Sequence, residues 1–100
     1  MTQPTVALPT IHLNGTSQDH LLDGVVECER AVQTAIRALE TNGPNARDYY
    51  VQGPDAFTRA RKEHDDRIAR LKTVSGELFA LADGIAGGGH KIRSATGAVS

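Results

Sequence analysis

The chain has a single cysteine, Cys28, and no tryptophan. A lone thiol cannot close an internal disulfide, so no covalent staple holds the fold, and the composition fits a reducing compartment. Aromatics are scarce, with two Tyr and two Phe among the 39% of residues that are hydrophobic. A core must therefore be built from Leu, Val, Ile and Ala, which suits helices. Neither sign of charge is in excess: 11 Lys and Arg face 12 Asp and Glu, for a net charge of −1. That balance excludes generic attraction to nucleic acid, which needs a strong positive field. No apolar run approaches the roughly 18 residues of a membrane span, and the N-terminus lacks the pattern of a secretory leader. The expectation is a soluble cytoplasmic protein without membrane contact. A chain of 100 residues makes one small domain, and so small a domain buries a limited share of its surface.

Catalytic and metal-binding patterns are also lacking. His12, His20, His64 and His90 do not have metal-ligand spacing, and Cys28 has no second thiol. Gly87-Gly88-Gly89 follows a helical segment rather than a strand, so it reads as a terminator and not as a phosphate loop. Glu63, Asp65 and Asp66 lie among arginines on one helical run, the composition of a solvated face rather than of an acid/base pair. The expectation is a non-enzymatic protein without metal or cofactor.

What is present is helical periodicity. Pro4 and Pro9 mark an extended segment, and Thr10-Ile11-His12-Leu13 is β-prone up to the Asn14-Gly15 turn signal. Thr16 or Ser17 offers an N-cap. A first helix is predicted from about Ser17 to Asn42, with Leu21, Val25, Cys28, Val32, Ala35 and Leu39 as an a/d seam, widened by Leu22 and Ile36. Asn42-Gly43-Pro44 is a stop, with Gly43 free to take a left-handed conformation. A second helix is predicted from Pro54 to the triple glycine, with the seam Phe57, Ala60, His64, Arg67, Leu71, Val74, Leu78, Leu81 and Ile85, flanked by Ile68, Phe79 and Ala82.

The predicted fold class is therefore all-α: an antiparallel two-helix hairpin with an extended N-terminal segment. Residues 1–16 form that segment, 17–87 the hairpin and 88–100 a flexible tail. Pairing Leu39 with Phe57 sets Val32 opposite His64 and Val25 opposite Leu71. Helix 2 then overhangs helix 1 by about two turns, with Leu81 and Ile85 left apolar. Val6, Leu8, Ile11 and Leu13 are available to cover that overhang, and so is a second subunit. The expectation is both, giving a homo-oligomeric helical bundle.

Two features carry the functional reading. One is the loop Gly43 to Gly53, longer than a helical hairpin needs and holding both tyrosines. Asn45, Arg47, Asp48, Tyr49, Tyr50 and Gln52 supply stacking faces, a guanidinium fork and hydrogen-bond donors. These suit a planar anionic ligand, a protein interface, or simply a plug over the open end of the hairpin. The other is the pair His64 and Arg67 at seam positions. Either Arg67 snorkels and His64 is satisfied locally, or the seam opens near the loop into a polar pocket or a subunit interface lined by both.

The set Leu13-Asn14-Gly15-Thr16-Ser17, then Pro44-Asn45-Ala46-Arg47-Asp48-Tyr49-Tyr50 with Gln52-Gly53-Pro54, then Glu63-His64 and Arg67, resembles small uncharacterised phage and prophage helical-hairpin proteins over about residues 10 to 85. The resemblance implies an accessory protein in an infected bacterial cell, acting by binding. The leading expectation is an oligomeric sponge for an anionic nucleotide signal of host defence. Its ligand residues would be Asn45, Arg47, Tyr49, Tyr50, His64 and Arg67. The alternative is a protein-interaction module, either a host-factor inhibitor or a virion assembly adaptor.

Overall fold

The computed structural model describes residues 5–90. Two long helices dominate it: α1, Gln18–Thr41, and α2, Ala56–Ala86. Two short 3-10 turns, Ala46–Asp48 and Tyr50–Gln52, fill the connection. The expected class holds: the chain is an all-helical hairpin with an extended N-terminal segment. Its residues form two compact units, Met1–Glu29 with Gly76–Ser100, and Arg30–Ser75. Each helix contributes to both units.

In the unit of the chain ends, Ser17 starts α1. Its hydroxyl accepts from the His20 N–H at 3.2 Å, and its carbonyl accepts the first helical bond, from Leu21. The glycine run stops α2 by left-handed backbone, with φ of 106° at Gly88 and 76° at Gly89. Gly89 N–H donates to Gly84 O and Gly88 N–H to Ile85 O, the paired bonds of a Schellman cap. The N-terminal segment then joins this cap. Thr10 and Gly89 form an isolated antiparallel bridge, and His90 N–H donates to Pro9 O at 2.8 Å. Leu8 lies so close over Gly84 that a Cβ there would overlap it. Gly88, Gly89 and His90, expected to begin a flexible tail, are thus part of a built joint. The rest of that expected tail, residues 91–100, lies outside the described residues.

In the other unit the interhelical face is sparse but continuous. Ile36 is 4% exposed and Ala56 5%, and Val32, Leu39, Phe57, Ala60, Ile68 and Leu71 are half-buried. A polar rung crosses this face: Gln33 Nε2 donates to Ser75 Oγ at 2.9 Å, and Ser75 is itself buried.

The predicted seams are corrected by one lane. Cys28 and Ala35 are exposed, while Glu29 and Ile36 face inward. Arg67 is exposed and Ile68 takes its place; Val74 is exposed and Ser75 takes its place. No charged seam residue therefore needs explaining at Arg67. Phe79, expected to flank the seam, is 67% exposed.

The predicted register is corrected by one heptad. His64 Nε2 lies 2.6 Å from Leu39 O, so Leu39 is level with His64 and not with Phe57. At the other end Gln18 Nε2 donates to Ile85 O at 2.8 Å, where Ser17 was expected beside Leu78. A 4-3 pattern repeats every seven residues, so patterning cannot separate registers that differ by that amount. The overhang of α2 consequently lies at the loop end, and Ile85 is 1% exposed. Of the apolar end that motivated an oligomer, Ile85 is enclosed while Phe79 stays exposed.

Candidate functional site

The loop region is built from short-range capping. Thr41 ends α1 without a left-handed glycine: Gly43 has no positive φ, contrary to the expected stop. Instead the last carbonyls of α1 are met by other groups. Asn42 Nδ2 donates to Ala38 O at 2.7 Å, and the Asn42 N–H is shared between Ala38 O and Leu39 O. Because a carbonyl only accepts, the contact to Leu39 O requires that His64 Nε2 carry a proton. His64 is therefore a cross-helix cap on the negative end of α1. Its Nδ1 is left to face whatever lies beside it.

Asn45 starts the first 3-10 turn, its Oδ1 accepting from the Arg47 N–H at 3.1 Å. Tyr49 is half-buried and its ring sits 6.5 Å from that of Phe57, tilted by 49°, a favourable aromatic arrangement. Phe57, displaced from its expected partner Leu39 by the heptad shift, finds Tyr49 instead. Tyr50 and Val51 point the other way, 73% and 75% exposed. Gly53 closes the loop with φ 117°, and α2 begins two residues after the expected Pro54.

Beside the loop an open groove of about 450 Å³ runs along α2. Its walls from α2 are Arg61, His64, Asp65, Ile68, Ala69 and Lys72. Glu40, Gly43 and Pro44 complete it from the end of α1. Lys72 Nζ is 3.7 Å from Glu40 Oε2. The carboxylate cluster read from the sequence is split by the helix: Asp66 turns away to pair with Lys62 at 3.2 Å, while Asp65 lines the groove.

The groove takes in one of the six expected ligand residues, His64. Asn45 is spent on a cap and Tyr49 on Phe57. Tyr50, Arg47 and Arg67 are exposed outside the groove. Arg61, Asp65 and Lys72, not among the six, also line it. Their spacing of four and then seven residues was the available signal, since it sets them in one stripe beside the seam. Among the described residues no group of three His, Cys, Asp or Glu is placed to hold a metal ion, and no helix is long and apolar enough to cross a membrane. No protein-family model, no curated protein and no solved structure matches this chain.

Proposed function

We propose that this chain is a non-enzymatic binding protein of the phage-accessory kind, and that it engages a protein partner through the tip of its loop. The observation that supports this reading is the exposure of Tyr50 and Val51, side by side, at 73% and 75%. Single exposed hydrophobic residues are ordinary. An aromatic and an aliphatic residue held together on a 3-10 turn, Tyr50–Gln52, are less so. Tyr in particular brings large contact area at low entropic cost, which is why it recurs in interface hot spots. Tyr49 and Asn45 serve this reading indirectly by fixing the turn that presents the tip.

Site-specific photo-crosslinking in bacteria expressing the chain tests the proposal. A crosslinker at position 50 is expected to give one discrete adduct, lost when Val51 is changed to Asp. The same crosslinker at the exposed control position 30 is expected to give none. Equal labelling from both positions would remove the loop tip from consideration.

A further inference from the structure

We propose that the groove along α2 is a second, separate site that binds a nucleoside monophosphate. The argument is one of order. From Arg61 to Lys72 the helix rises by about 16 Å at 1.5 Å per residue, enough for one extended mononucleotide. Along that length the lining changes character in four steps. Arg61 comes first, outside the Lys62–Asp66 and Lys72–Glu40 ion pairs, with a guanidinium fork suited to a phosphate. His64 and Asp65 follow. With Nε2–H committed to Leu39 O, neutral His64 offers Nδ1 as an acceptor, and Asp65 offers a carboxylate. Both want hydroxyl donors, as a ribose supplies. Ile68 and Ala69 come next, an apolar patch for the face of a base. Lys72 and Glu40 close the groove as a donor and acceptor pair able to read a base edge. A phosphate, a polyol, a flat ring and a polar edge follow one another in the same sequence in a nucleotide.

The charge balance narrows the class further. Glu40 and Asp65 offset Arg61 and Lys72, so the lining has no net charge with His64 neutral. A polyanion gains nothing there, and bare phosphate meets two carboxylates. A ligand with charge confined to one end avoids that repulsion. The volume lies within the usual range of small-ligand sites.

The test is calorimetric titration of the full chain with AMP, GMP, CMP and UMP, and with adenosine, ribose 5-phosphate and inorganic phosphate as controls. At least one monophosphate is expected to bind with a Kd of about 1 mM or tighter, and inorganic phosphate at least about tenfold more weakly. Arg61→Ala is expected to weaken the monophosphate about tenfold, with partial rescue in Arg61→Lys. Asp65→Asn is expected to weaken it while leaving inorganic phosphate no weaker, since one of the two repelling carboxylates is gone. Arg61 and Asp65 are exposed, so these variants should keep the wild-type circular dichroism. Arg47→Ala, outside the groove, is expected to change nothing. Absence of binding by all four monophosphates, equal binding of inorganic phosphate, or indifference to Arg61→Ala would each overturn the proposal. None of these outcomes bears on the loop tip, because crosslinking at position 50 reads that surface alone.

Discussion

Tyr49 and Tyr50 are chain neighbours with opposite energetic roles. Tyr49 → Ala removes the ring that covers Phe57 and is expected to cost about 1–3 kcal/mol in urea unfolding, the range for truncating a partly buried aromatic. Tyr50 → Ala removes a ring that is mostly in water, and the same measurement should show a change within about 0.5 kcal/mol. Equal costs at the two positions would mean that the turn is packed differently. His64 is expected to matter for stability as well as for the groove. His64 → Ala deletes a cap on Leu39 O and should lower stability by about 1 kcal/mol, with His64 → Gln recovering part of it. Leu39 O retains its weaker bond from Asn42, which is why the figure is not larger. Sequence alone left His64 between a satisfied core residue and a pocket residue. It is both, because one ring nitrogen caps α1 while the ring itself lines the groove.

At the scale of elements, the existence and the ends of the helices were legible. Ser17, the triple glycine and Pro44 act through local backbone chemistry that sequence displays directly. The choice of face was harder to read. Cys28 and Ala35 compete with Glu29 and Ile36 for neighbouring lanes, and a reader of hydrophobicity avoids Glu29 and Ser75. The chain in fact crosses its interface with polar residues, as the bond from Gln33 to Ser75 shows. Hydropathy therefore favoured Val74, one residue too early. Register was illegible for a different reason, the seven-residue degeneracy of the pattern. It is settled by contacts that pair one atom with another, Gln18 with Ile85 O and His64 with Leu39 O. The groove was hardest to read for the same reason: that Arg61 lines it and Arg67 does not follows from the face. The joint between the N-terminal segment and the glycine cap supplies a further test. Gly89 has φ 76° and Pro9 O against the position a Cβ would take. Gly89 → Ala is therefore expected to cost about 1–3 kcal/mol through strain and clash. Limited proteolysis should then cut near Thr10 much faster than in the unmodified chain.

For the molecule as a whole, the question is whether it self-associates. Ile85, expected to sit in a subunit interface, is already enclosed within the chain. Substituting Leu81 and Ile85 by Asp would consequently report on folding rather than on assembly. Phe79 is the better probe, since it is large, apolar and 67% exposed on α2. If copies do associate through the helices, Phe79 → Asp should move the light-scattering mass toward that of the monomer while circular dichroism stays helical. A wild-type mass already equal to that of one chain would end the oligomeric reading, and the bundle expected from the sequence with it.

Each helix ends on a group borrowed from the other. Gln18, the first residue of α1, donates to Ile85 O near the end of α2, and His64 of α2 donates to Leu39 O near the end of α1. Free helices fray from their ends because the last carbonyls have no partner and the last turn holds on to little. Here the last turn of each helix cannot loosen without also surrendering a tether to its neighbour. The amides of those turns should accordingly exchange with deuterium at rates closer to mid-helix positions than to frayed ends. In Gln18 → Ala, the first amides to gain exchange should be those of residues 85 to 89, far along the chain from the substitution.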